Sequence, residues 1–169
     1  SSMREASLLE VIDRAYDLAS DEATWALGLQ RAMTRALRGP HGAFTHSFQL
    51  GTGHLARGAY YADTDIDAAT LLGAMYVNMT PEVERTLFRS SVACGSLADA
   101  VASAGGPPEM VKVGARLFHE AAGVSDLYVP PAHGARGWRM YFSLPQDELL
   151  GPTDARERAR WSRVAEHVS

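Results

Sequence analysis

The chain has 169 residues, 46% hydrophobic and 21% charged, which suits one compact α+β-sized domain with a real core and leaves little room for a second. Its net charge is −4 and Lys112 is its only lysine, so the domain is not expected to grip DNA by itself, because phosphate contacts call for a basic surface. Cys94 is the only cysteine, which excludes an internal disulfide and makes a reducing, cytoplasmic compartment the expectation; no apolar run nears the ~20 residues of a membrane span, and no signal peptide is visible.

Ser1 and Ser2 ahead of Met3 read as a cloning scar. Leu8, Leu9, Ile12, Ala15, Tyr16 and Ala19 then recur at helical spacing. Ser20 and Asp21 read as a cap for a second helix through Trp25, Leu27, Leu29, Ala32, Met33, Ala36 and Leu37, stopping near Gly39-Pro40. The period switches to two at Phe44, His46, Phe48 and Leu50, and again at Leu55, Arg57, Ala59 and Tyr61. With Gly51-Thr52-Gly53 between them, residues 43–62 read as a β-hairpin.

Thr64 with Asp67 resembles a capping box opening a helix through Ile66, Leu71, Leu72, Met75, Tyr76 and Met79. Thr80-Pro81 restarts a helix to about Arg89. Ser91 to Cys94 reads as a short strand, Ser96 to Ala104 as a helix ended by Gly105-Gly106, and Pro107-Pro108-Glu109 to Ala122 as another. Asp126 to Ala132 is read as a strand whose Pro130-Pro131 end belongs at an edge or bulge. Trp138, Met140, Phe142 and Leu144 alternate in the clearest strand, which Pro145 should end. Asp154 with Glu157 caps a last helix bearing Trp161, Val164, Ala165 and Val168 on one face. Together these predict an α+β domain over 1–169, with a central antiparallel sheet of about five strands flanked by helices.

Motifs that carry chemistry fail on inspection. His119-Glu120 begins a zincin-type pair, but Gly123 stands where the second histidine is needed. Gly51-Thr52-Gly53-His54-Leu55-Ala56 matches a dinucleotide fingerprint, yet a strand rather than a helix follows it. Asp63, Asp65 and Asp67 alternate like a calcium loop without its glycine and closing glutamate, and are better read as an acidic helix start. No nucleophile elbow surrounds Ser96. No catalytic residue, metal ligand or particular cofactor is therefore assigned.

What survives is a set of aromatic and methionine side chains: Phe44, His46, Phe48, Tyr60, Met75, Met79, Phe118, Tyr128, Met140 and Phe142. Most should be core. The sharper reading is an apolar pocket between the sheet and the central helices, with His46, Tyr128 or Tyr141 as its polar handles. Arg156, Arg158, Arg160 and Arg163 on the last helix suit either a solvated face or a helix continuing into a partner.

Leu8-Leu9-Glu10-Val11-Ile12-Asp13-Arg14-Ala15-Tyr16-Asp17-Leu18 through Asp21-Glu22-Ala23-Thr24-Trp25 resembles the N-terminus of bacterial LuxR-type helix-turn-helix regulators. Leu150-Gly151-Pro152-Thr153-Asp154-Ala155-Arg156-Glu157-Arg158-Ala159-Arg160-Trp161 through Ala165-Glu166-His167-Val168 resembles the helix before their DNA-binding domain. The resemblance implies a GAF/PAS-like sensory domain whose first and last helices pack together. It further implies a homodimer through those helices, and DNA contact only through a domain beyond residue 169. The function expected is non-enzymatic: a small molecule held in the pocket, with the signal leaving through the last helix. A ligand-free dimerisation domain is the alternative, and a small enzyme using Cys94 or a histidine comes third.

Overall fold

Helical spacing at the start of the chain produces α1 (Glu5–Ala15) and α2 (Glu22–Leu37), and the switch to period two produces β1 (Gly42–Leu50) and β2 (Leu55–Thr64). After them come α3 (Ala68–Val77), α4 (Leu97–Ser103), α5 (Glu109–Ala122), β3 (Asp126–Tyr128), β4 (Trp138–Gln146) and α6 (Ala155–Ala165). The computed structural model describes residues 5–17, 21–50, 55–78, 95–130 and 138–165. Among them the four strands form one antiparallel sheet in the order β2-β1-β4-β3.

Local chemistry explains the boundaries. Asp21 caps α2 by accepting from the Thr24 amide at 2.7 Å. The helix ends on Arg38 in the left-handed region (φ 49°), while the Gly39 amide donates back to the Thr34 carbonyl at 2.9 Å. Ala15, the last residue of α1, offers a carbonyl that the Trp25 indole satisfies at 3.0 Å. Asp154 caps α6 through the Glu157 amide at 2.7 Å.

The sheet separates two cores. On one face Leu8, Val11 and Ala15 of α1, Leu29, Ala32, Met33 and Ala36 of α2, and Trp161 and Val164 of α6 close over Ala43, Tyr128, Phe142 and Leu144. The first and last helices thus pack together, as expected. On the other face Ala68, Leu71 and Leu72 of α3 and Phe118 of α5 close over Phe44, Val124 and Leu127. Burying apolar side chains on both faces is the main stabilising term for such a layered domain.

Several expectations need correction. Four of the about five strands expected are seen among the described residues. The Ser91–Cys94 strand and the Thr80–Arg89 helix lie outside those residues, and next to them only an isolated bridge from Gly95 to Val129 is seen. The strand expected over 126–132 is regular only to Tyr128, and 131–132 lie outside the described residues. Thr64 does not join a capping box. It is the last residue of β2, its hydroxyl donates to the His41 carbonyl, and Asp67 alone caps α3 through the Thr70 amide at 3.0 Å. Pro145 does not end β4, which continues to Gln146. The β1–β4 ladder already stops at Phe44↔Ser143, so a residue without an N–H is tolerated beyond it.

Candidate ligand cleft

The site begins with an irregularity in the hairpin. His46 pairs with Tyr60, but Phe48 pairs with Arg57, so β2 spends one extra residue there. This is a β-bulge, which bends a strand and frees a backbone amide. Here the Ala59 amide is satisfied by the Ser47 hydroxyl at 2.9 Å. Above the bulge lies α3, and between them is a cleft of about 200 Å³, open to solvent on one side. Its described walls are His46, Ser47, Gly58, Ala59 and Tyr60 from the sheet and Ala69, Leu72, Gly73 and Tyr76 from α3.

The sequence of α3 explains why it can serve both a core and a cleft. Among its ten residues, AATLLGAMYV, only Thr70 and Tyr76 carry a polar group in the side chain. An all-apolar helix is normally buried all round. This one has two apolar stripes. Ala68, Leu71 and Leu72 enter the core with Met75 packed against it, while Ala69, Leu72, Gly73 and Tyr76, at i, i+3, i+4 and i+7, face the cleft. A Cβ added at Gly73 would meet nothing within 4 Å, so this helix-interior glycine borders open space.

His46 is buried, with 8% of its surface exposed. Its ring stacks on Phe44 two residues earlier (centroids 6.0 Å apart) and on Tyr141 directly across the β1–β4 ladder (5.7 Å). Burial pushes the imidazole down to about 3, so His46 is neutral at physiological pH. Tyr60 is held above the usual phenol range by partial burial and by the nearby charge of Asp67. A neutral imidazole, a serine hydroxyl and two tyrosines in an apolar slot can orient a ligand, and the described walls hold no Asp, Glu, Lys or Arg.

The structure divides the ten residues expected to line a pocket. His46 and Tyr60 line the cleft. Phe44 and Phe118 lie beneath it in the adjoining core, and Met75 packs against that core. Tyr128, Met140 and Phe142 belong to the opposite face, in or against the core under α1, α2 and α6, and do not reach the cleft. Met79 and the Phe48 side chain lie outside the described residues. The strand period told which residues share a face, but not which of two helix-covered faces it is. Of the three polar handles expected, His46 lines the cleft, Tyr141 supports its ring, and Tyr128 is across the sheet. The small residues Gly58, Ala59, Ala69 and Gly73 were not expected, and the uniformly apolar α3 was the available signal.

Among the described residues no cluster of three or more His, Cys, Asp or Glu is placed to hold a metal ion, and no helix is long and apolar enough to cross a membrane. No protein-family model matches the chain, and no curated protein sequence matches it.

Proposed function

We propose that the chain is a non-enzymatic sensory module, a GAF/PAS-like domain of the kind carried by cytoplasmic LuxR-type regulators. It holds a small molecule in the α3 cleft and signals through α6 to a DNA-binding domain beyond residue 169. The observation that carries this reading is the cleft itself: a concave slot with few polar groups, built over a β-bulge and roofed by a helix with a spare apolar stripe. The element order supports it, with a hairpin, intervening helices and a returning antiparallel pair. So does the docking of α6 against α1, an arrangement of helices that a bound ligand could bias.

The test is thermal unfolding against a panel of bacterial metabolites. At least one compound is expected to raise the melting temperature of the native chain but not that of Gly73→Leu, whose side chain fills the cleft. The same compound should change amide exchange in α6. A panel in which every shift is equal in both proteins would overturn the reading.

A specific feature favours ligand-free dimerisation as the second reading. Leu9 and Tyr16, seven residues apart on one side of the first helical segment, are 63% and 56% exposed. Sedimentation of Leu9→Glu beside the native chain tests it: this reading requires a native dimer that the substitution dissociates, together with a metabolite panel in which no compound distinguishes the native chain from Gly73→Leu.

A further inference from the structure

Small residues flatten the cleft. Gly58 and Ala59 form its floor at the bulge, and Ala69 and Gly73 its roof on α3. The larger side chains on its walls are Leu72 and the rings of Tyr60, Tyr76 and His46, the last stacked on Tyr141. Glycine in a helix interior is unfavourable relative to alanine, because it loses more backbone freedom on folding. Gly73 carries that cost at a place where even a methyl group would meet nothing. Its effect is to leave the cleft side of α3 clear, on walls that also carry two tyrosines.

The same described walls offer a charged group no countercharge. A charged ligand group entering a slot with no countercharge loses its hydration without compensation. The described walls supply no ion, His46 is neutral, and among the described residues the charge that raises Tyr60 is that of Asp67, the N-cap of α3. Size is bounded as well. An apolar cavity of about 150 Å³ accommodates benzene, so about 200 Å³ suits one ring or two fused rings.

Resting on the ligand-binding reading above, we infer that the cleft takes an uncharged planar aromatic molecule of one or two fused rings. The ring lies flat beside Gly73 between the tyrosines, with a hydrogen bond to His46 or Ser47 setting its orientation. Aromatic rings add offset or edge-on contacts to the area they bury, and the two tyrosines on the cleft walls are partners for such contacts.

Three probes share one ring and differ in charge: indole, indole-3-acetate and tryptamine. Each is titrated calorimetrically into the full chain at neutral pH. Indole should bind saturably, and the anion and the cation at least about tenfold more weakly because the described walls offer neither a countercharge for what hydration it loses. Gly73→Leu should abolish indole binding, and circular dichroism shows whether that variant is folded. Tyr60→Ala, at a half-exposed position, is the second variant and should weaken indole about fivefold.

Tighter binding of either charged probe, still lost in Gly73→Leu, would overturn the inference while leaving the cleft as the site. Indole binding that neither variant weakens would overturn the placement. No saturable binding by any of the three would overturn the aromatic class, and the metabolite panel would then decide the ligand-binding reading separately.

Discussion

Two histidines show how far environment outweighs residue type. His46 is sealed among rings and kept neutral. His41 sits between two carboxylates, with Nδ1 2.8 Å from Asp65 and Nε2 2.5 Å from Asp147. Two carboxylates can both be bonded only if both ring nitrogens carry protons, so the geometry calls for imidazolium. The hydrogen bond to Asp147, opposed by partial burial and aided by Asp65, holds His41 above 6.5. A raised folded pKa means stabilisation that is complete below the ordinary histidine value and lost as pH rises through the higher folded one. His41→Asn should therefore cost about 0.5–1 kcal/mol near pH 5.5, given the exposure of both carboxylates. By about pH 9 the two proteins should converge. Urea unfolding at both pH values checks it, and an equal gap at each would contradict the charged clamp. Only one of these environments was open to sequence reasoning. His46 sat visibly on an apolar strand face, whereas the partners of His41 lie 24 and 106 residues away.

Elements that look independent in the sequence are joined by buried carboxylates. α4 has seven residues, too few to persist alone. Ser96 and Asp99 form a reciprocal capping box at its start. Asp99 also accepts from the Thr153 amide at 3.1 Å and hydroxyl at 2.5 Å, and from Arg158 at 2.5 Å, tying α4 to the segment that enters α6. Burial opposes its ionisation, but the bonds from Thr153, Ser96 and Arg158 prevail and keep its carboxyl below the usual range. Asp126 anchors the same segment from the sheet, accepting from the Leu97, Leu127 and Leu150 amides at 2.8–2.9 Å. Gly95 must stay glycine: its φ is +118°, and a Cβ there would lie 2.2 Å from the Asp99 carboxylate. Asp99→Ala should destabilise by about 3 kcal/mol, since several buried donors lose their acceptor at once. Arg158→Ala, on a side chain 47% exposed, should cost about 1 kcal/mol or less. Equal losses in chemical denaturation would mean that the ion pair, not the amide and hydroxyl bonds, carries the network. Sequence spacing revealed the start of α4 and its Gly105-Gly106 stop. It could not reveal Asp99 as a hub, because the strap residue it holds is 54 positions away.

For the molecule as a whole, the α+β class, the hairpin and the meeting of first and last helices were legible, because each rests on periodicity or end resemblance. The sidedness was not. With helices over both faces, an apolar strand alternation does not say which core it feeds, and so Tyr128, Met140 and Phe142, three of the ten residues expected in one pocket, fell in or against the opposite core. That sidedness now sharpens what a sensor must do here. The cleft is on the α3 face and α6 docks on the other, so any signal has to cross the sheet. His46 and Tyr141, stacked across adjacent strands, stand on the cleft side of the β4 strand whose Phe142 and Leu144 face the α6 core. Coupling between two sites is reciprocal: if a ligand biases α6, then loosening α6 must change the ligand's affinity by the same factor. Val164 is 1% exposed in the core shared by α1 and α6, and Val164→Ala should weaken that docking by about 2 kcal/mol while leaving the chain folded. If α6 reads the cleft, the indole titration should shift in this variant by roughly 5-fold or more, the span of ordinary allosteric couplings. An unchanged affinity in a demonstrably looser α6 would mean that the two faces of the sheet act independently, and that the cleft serves something other than the last helix.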